Sequence, residues 1–519
     1  MVAGGTGTGQ TASSAQYTLT SLASFNVTNG SRPETLVGDA SGNLYGVTEY
    51  GGNVSNDQEG YGSVFEVTAG THTLHTLATF NNTVSGSTPN GSLIVDAAGN
   101  FCGTADQGGT YGLGTVFELA AGTNSLDALA TFDSSNGEGP IDLTSDANGN
   151  LYGMTYRGGT YHAGTVFLLT AGTHIFSTLV SFNGTNGAGS LGDTFGSLIS
   201  DANGNIYGTT TDGGTNNKGT LFEIVAGSHS FSTLVTFNGM NGSHPAGLVL
   251  DANGNVYGTT FRGGASDAGT VFELSADTHT LTTLAAFNGA NGELPNPGLI
   301  VDASGNLYGT TYEGGKCDNC GTVFKVAAGA RAVTTLAAFD GSNGLLPAGG
   351  LTVDAYGNLY GTTEGGTYDK GTVFKLSPGT GTLITLVSFD GTNGDGPDTA
   401  LIVDANGNVY GSTYGGGVYG WGTVFELSPA PGVLGDYNGD GVVDAADYSV
   451  WRDTLGSTTE LRANGNNTGT SMGVVDQADY DFWKAHFGME GGSGSLSAVP
   501  EPASIMLFIG ALPILGCRR

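Results

Sequence analysis

Between residues 17 and 428 the apolar positions fall in short runs rich in Val, Leu, Thr, Tyr and Phe, each bounded by Gly, Asn or Asp. In one stretch the runs are Leu248–Leu250, Asn255–Thr260, Gly269–Leu274 and Leu281–Phe287. Runs of this length, rich in β-branched and aromatic residues and closed by turn formers, read as strands. No 3.6-residue periodicity competes with that reading in this region. The separator after the first run, Asp-Ala-x-Gly-Asn, predicts a hairpin turn in which Gly254 supplies positive φ and Asp251 bonds to the backbone two residues on.

The whole stretch repeats. Asp-Ala-x-Gly-Asn-x-Tyr-Gly starts at Asp39, Asp96, Asp146, Asp201, Asp251, Asp302, Asp354 and Asp404, with spacings of 57, 50, 55, 50, 51, 52 and 50 residues. Four strands recurring at this period predict the blades of an all-β propeller. Cys102 takes the Tyr position of one copy, and Ser63 takes a Thr position of another. The Gly-Thr-Val-Phe strand and the Thr-Leu-Ala-x-Phe strand each occur eight times, but out of phase. The latter first appears at Leu19–Phe25, before any blade, while the last Gly-Thr-Val-Phe strand, Gly422–Leu427, has no successor before Pro429 and Pro431. The N-terminal strand is therefore expected to complete the eighth blade and close the ring, hiding the edges that an open array would expose.

Composition sharpens this picture. Ninety-three Gly and 12% charged residues fit a turn-dense β protein. A net charge of −32 repels phosphate backbones and anionic lipid, so nucleic acid is not an expected partner. Residues 1–16 read as a disordered lead-in without a secretory signal. The pattern changes after Pro431, where Ala-Asp-Tyr-x-x-Trp occurs at Ala446–Trp451 and again at Ala478–Trp483. Each copy heads an apolar stripe, Tyr448, Trp451, Leu455 and Tyr480, Trp483, Phe487, followed by a Gly stop, which predicts two short amphipathic helices over 433–489. A Gly/Ser linker spans 490–499, and residues 499–519 end the chain in an apolar stretch and two arginines.

Three resemblances follow from these motifs. The repeats, with Gly-Asn-Leu-Tyr-Gly-Thr-Thr and Gly-Thr-Val-Phe-Lys-Leu in the copy from Asp354 to Leu376, resemble the GloVer tandem repeat of bacterial surface proteins, which implies an extracellular location and no set activity. The segment from Gly435 resembles a type I dockerin. Its first half places Asp436, Asn438, Asp440, Val442 through its carbonyl, Asp444 and Asp447 at loop positions 1, 3, 5, 7, 9 and 12, with Gly441 at the turn. That oxygen-only spacing suits calcium, and the resemblance implies a cohesin-like partner. The second half, Asn464 to Gly469, lacks carboxylates and is expected to bind calcium weakly or not at all. The tail, Val499-Pro500-Glu501-Pro502, then an apolar stretch, then Arg518-Arg519, resembles a PEP-CTERM sorting signal, which implies export and an exosortase-type processing enzyme. Ala503–Cys517 would span about 22 Å as a helix, short of the ~30 Å hydrocarbon core, so a transient sorting element is expected over a permanent span.

The remaining candidates are weaker. Cys317 and Cys320, in one loop, read as a small disulfide rather than half a zinc site, because Cys102 and Cys517 stand apart. His72, His174, His229 and His279 occupy one repeat-equivalent position on separate blades and read as turn residues, not as ligands of one metal ion. The loops before each Gly-Thr-Val-Phe strand vary most. Tyr111, His162, Tyr368 and Trp421 there mark a rim able to hold a carbohydrate or protein ligand. A non-catalytic binding or structural module is the expected function. A polysaccharide-active glycoside hydrolase or lyase, the alternative, needs one asymmetric group of acids, His or Arg, and no sequence pattern announces one.

Overall fold

The computed structural model describes residues 17–52, 60–189, 196–377, 379, 381–429, 437, 443, 445–456 and 475–487. Two compact units divide the chain, one of Leu19–Ser428 and one of Met1–Thr18 with Pro429–Arg519.

The larger unit is an eight-bladed propeller of antiparallel sheets, each four strands wide. Blade 5 shows the plan: Ser243–Leu250 innermost, then Val256–Arg262, Thr270–Leu274 and Leu281–Ala286 outermost. In three blades the innermost strand is split into two pieces that pair with the same neighbour. Blade 8 runs Ile402–Val403, Val409–Thr413, Thr423–Pro429, and its outermost strand is Tyr17–Ser24. The ring closes through the N-terminal strand, as the phase of the two strand motifs predicts.

The repeated residues have physical tasks. Asp251 Oδ1 accepts the backbone N–H of Asn253 and Asn255, each at 2.9 Å, while Oδ2 accepts the Asn255 amide and the Tyr257 hydroxyl. Burial alone would raise this carboxyl, but these bonds hold it below the ordinary carboxylate range. Asn255 Oδ1 in turn accepts the N–H of Ala276, tying this hairpin to the next one in the blade. Gly254 sits at φ +82°, which an L side chain resists.

The glycine after each Tyr position answers to packing, not to φ. A Cβ there would lie 2.2–2.7 Å from the ring of the Phe opposite in register, as Gly258 faces Phe272. That Phe meets the Phe ending the preceding outermost strand. All eight such pairs, from Phe25–Phe65 to Phe389–Phe425, have ring centroids 4.9–5.6 Å apart and lie buried between blades.

Hydroxyls complete the lock. Thr260 and Thr270 meet at 2.8 Å, and six other blades repeat the contact. Ser63 keeps it in blade 1 at 2.9 Å, so that departure from the motif is silent. Blade 2 has Ala105 instead and no such pair, while Thr115 keeps the bond to the Ser85 carbonyl at 2.9 Å that Ser63 makes to the Asn29 carbonyl in blade 1. Cys102 is buried where other blades place Tyr, and burial, then Glu118 and Asp96, push its thiol up to about 12.

In the smaller unit, helix α1 (Ala445–Thr454) and helix α2 (Gln477–His486) pack through Tyr448, Trp451, Tyr480 and Trp483. Asp476 and Asp479 form a capping box at the start of α2. One expected stripe residue is misplaced: Leu455 is exposed and Thr454 buried, because α1 ends at Thr454 and Leu455 lies in the turn leading to Gly456 at φ +83°. Among the described residues no helix is long and apolar enough to cross a membrane.

Candidate functional site

Innermost strands of neighbouring blades bond to one another around the axis. Thr352 Oγ1 donates to Leu401 O at 2.6 Å, Ser200 Oγ to Ser145 O at 2.8 Å and Asn296 Nδ2 to Pro347 O at 2.7 Å. The Gly-Gly loops and the loops between blades share one face of the ring and are bonded together, as in Gly264 N–H to Gly239 O at 2.8 Å. Two repeat positions on this face approach the axis and carry the chemistry.

The first follows the proline of the innermost strand. In the seven blades with that proline, the next residue is Glu34, Asn90, Ile141, Ala246, Asn296, Ala348 or Asp398. The second lies within one residue of the end of the second strand and reads Glu49, Asp106, Tyr156, Thr211, Phe261, Tyr312, Glu364 and Tyr414 around the ring. Blades 1 and 8 thus bring acids from opposite ends of the repeat array together. Desolvation, then repulsion from Asp398 and Glu49, pushes Glu34 up to about 8. Desolvation also raises Asp398, with Glu364 and Glu49 adding to it, and Asp106, with Glu138 and Glu49 adding.

Arg32 stands among these acids. Its guanidinium lies over the Tyr50 ring at 5.0 Å and the Tyr414 ring at 4.6 Å, and Nη1 is 3.4 Å from Glu49 Oε2. Its own N–H donates to the Trp421 carbonyl at 2.9 Å. The Tyr312 hydroxyl donates to Glu364 at 2.8 Å. Across the ring, blades 4 and 5 offer His244, 3.7 Å from Asp212, with Lys218 and Arg262 near enough to act on it. The mouth is therefore acidic on one arc and partly basic on the other. Among the described residues, no three His, Cys, Asp or Glu side chains are grouped tightly enough to hold a metal ion.

The rim residues are distributed. Tyr111, His162, Tyr368 and Trp421 sit on blades 2, 3, 7 and 8, with Tyr111 62% and Tyr368 60% exposed, and among the described residues no hydrogen bond or ring contact joins any two of them. Cys317 and Cys320, on the blade 6 loop, are joined by a disulfide with Cα atoms 5.2 Å apart. The four turn histidines all take left-handed φ of 49–52°. Two of them also reach the preceding blade: His229 Nε2 is 3.4 Å from the Tyr152 hydroxyl, and His174 Nε2 is 4.0 Å from Glu118.

Of the calcium-loop residues, Asp447 is described: it is fully buried, and its Oδ1 accepts the Tyr437 N–H at 2.7 Å. Asp436, Asn438, Asp440, Val442 and Asp444 lie outside the described residues, as do Val499, Pro500, Glu501, Pro502, Arg518 and Arg519. The sequence reading missed Glu34, Glu49, Arg32 and Asp398. The available signal was the non-uniformity of two repeat positions, visible only once ring closure makes blades 8 and 1 neighbours.

Among solved structures, the chain resembles the Dos1 propeller at 11% identity and a TM-score of 0.49, covering 78% of this chain and 94% of that one. A puromycin-hydrolyzing peptidase of Mycobacterium tuberculosis matches at 10% identity and 0.45, covering 78% and 61%. TolB from Acinetobacter baumannii matches at 11% and 0.32, covering 67% and 77%. Likeness of this degree carries no argument about activity. No curated protein matches the chain. The profile of the Gloeobacter/Verrucomicrobia repeat matches residues 2–197 and 193–425, nearly the whole span of the eight blades, and the chain belongs to that family.

Proposed function

We infer that this is an exported, cell-surface or extracellular protein whose propeller serves as a non-catalytic binding or structural module. The observation that carries the reading is a division of labour within each blade. The residues that recur around the ring are used up in turns and inter-blade packing, as Asp251, Asn255, Gly258 and Phe272 are. The side chains that differ between blades collect on one face, where loops held by a rigid scaffold commonly bind ligands. A carbohydrate array combined with a hydrolase screen on the full chain tests this. Retention of a glycan without turnover is expected, and turnover of any glycan would reverse the reading.

The acidic arc favours a second reading, catalysis in the channel mouth. A carboxyl that burial and acidic neighbours hold well above the ordinary range is how glycoside-cleaving sites obtain a general acid. Under that reading Glu34→Gln and Asp398→Asn would each abolish turnover while leaving binding intact.

The smaller unit is proposed to be a dockerin-like module that folds around calcium, with a cohesin-like domain as its partner. Asp436, Asn438, Asp440, Asp444, Asp447 and the Val442 carbonyl supply oxygen donors only, the chemistry a hard divalent cation requires. Calcium would neutralise carboxylates that otherwise repel one another on folding. Calorimetry should show one strong site, lost in Asp440→Ala; two equal sites would mean that the second loop had been wrongly discounted. The tail from Val499 is proposed to direct sorting by an exosortase-type enzyme and to be removed. Intact mass of the surface-exposed protein should lack most of residues 503–519, whereas a mature chain ending at Arg519 would indicate simple anchoring.

A further inference from the structure

We propose that the seam between blades 8 and 1 is a glycan-binding subsite with Tyr414, Tyr419 and Trp421 as its platform, selective for neutral or amino-sugar chains over uronic or sulfated ones. The proposal rests on the binding-module reading and names its place and ligand class.

Scattered exposed aromatics need no explanation, but several gathered on one short loop do. Residues 414–421 hold Tyr414, Val418, Tyr419 and Trp421 at 41%, 80%, 57% and 37% exposure, whereas the blade 2 and blade 7 loops each present one exposed Tyr. Apolar surface of this density, with polar groups beside it, marks a place where something is covered.

The platform is also held in shape before any ligand arrives. Tyr414 N–H donates to Gly396 O at 2.9 Å, Gly415 and Asp395 exchange two backbone bonds at 2.9 and 3.0 Å, and Gly417 N–H donates to Gly391 O at 3.0 Å. From blade 1, Arg32 binds the Trp421 carbonyl and lays its guanidinium on Tyr414. A loop whose backbone is already fixed loses little entropy on binding, which is what weak single-sugar contacts need to add up to useful affinity.

Chemistry beside the platform selects the ligand class. A pyranose offers a flat C–H face to an aromatic ring and a fringe of hydroxyls to polar groups. Here the polar groups are Glu49, Asp398 and Arg32, able respectively to accept from and donate to hydroxyls. An apolar peptide segment would strand those charges under it at a desolvation cost. Anionic sugars would meet the acidic arc and a chain of net charge −32, while an amino sugar would be drawn to both.

The test is calorimetric titration of the full chain with cellohexaose, glucosamine hexamer and hexagalacturonate, with mass spectrometry of each mixture afterwards. Cellohexaose or glucosamine hexamer should bind, with hexagalacturonate at least tenfold weaker. Trp421→Ala and Tyr419→Ala should each weaken binding at least tenfold, Trp421→Phe should restore part of it, and Tyr356→Ala, an exposed tyrosine in the blade 7 hairpin turn, should stay within twofold of wild type. Tyr419, more than half exposed, keeps the test valid even if Trp421→Ala fails to fold. Wild-type affinity in the Tyr419 variant, preference for hexagalacturonate, or no binding of any of the three sugars would overturn the proposal. Cleavage of a sugar by wild type that is lost in Trp421→Ala would support the seam site and overturn the non-catalytic reading instead.

Discussion

Ring closure makes a demand that one substitution can test. Phe25 follows the N-terminal strand and is fully buried, with its ring 5.0 Å from Phe65 in blade 1. Phe237, midway round the ring, is equally buried and lies 5.4 Å from Phe272. If the N-terminal strand is an integral part of blade 8, truncating either ring leaves the same kind of cavity. Buried Phe→Ala changes cost about 3–5 kcal/mol. The unit spans Leu19–Ser428, and the usual unfolding entropy of roughly 2 cal/mol/K per residue gives about 0.8 kcal/mol per kelvin. Both variants should therefore melt about 4–6 °C below wild type, as read by calorimetry or by circular dichroism in the β band. A strand that merely rests on an already stable ring would give a different result. Phe25→Ala would then shift Tm by less than about 1 °C while Phe237→Ala fell by the full amount, and closure through residues 17–24 would be refuted.

Two other perturbations follow from the blade plan. Gly258→Ala puts a methyl group 2.5 Å from Phe272 Cζ and 2.9 Å from Gly247 O; such overpacking costs about 1–3 kcal/mol. Gly379→Ala, with no atom within 4 Å of the added carbon, should be neutral or slightly stabilising, both variants being read by urea titration. Equal losses at the two sites would mean that the glycine–phenylalanine contact is not what selects glycine. The Glu34 carboxyl, raised from 4.5 to about 8, binds its proton more tightly in the folded state. Its contribution to stability is complete below about pH 4.5 and is lost as pH rises to about 8. Glu34→Gln should flatten the fall of Tm across that window, and an unchanged slope would place Glu34 in water.

Much of this architecture could be read directly because each blade solves the same local problem with the same residues. Asp251, Gly254 and Asn255 act within a few positions of one another, so the turn is legible as a motif. The blade count follows from the period, and closure follows from the mismatch in phase between two strand types. Less legible was why glycine follows tyrosine. Nothing near Gly258 in sequence hints that its freedom from a side chain serves Phe272 on the next strand rather than a turn. The stripe in α1 failed at Leu455 for a related reason: helical spacing was extended one residue past the point where the helix stops.

The channel mouth resisted sequence reading for a deeper reason. Repetition draws attention to what recurs, while a ligand site on a ring depends on what does not. Glu34 and Asp398 occupy the same repeat position, yet they stand at opposite ends of the array and look like two unrelated departures from it. Only the pairing of Tyr17–Ser24 with Thr423–Pro429 makes their blades adjacent, and Ser412 Oγ, 3.0 Å from the Glu34 carbonyl, bonds across that junction. The seam thus differs from the other seven junctions in topology and in side chains at once: it joins chain ends, concentrates acids beside Arg32, and adjoins the most aromatic loop. Random drift among eight equivalent blades would scatter such departures around the ring. Their concentration on the arc centred on the one junction that the chain closes non-locally is the physical reason for seeking the ligand there first.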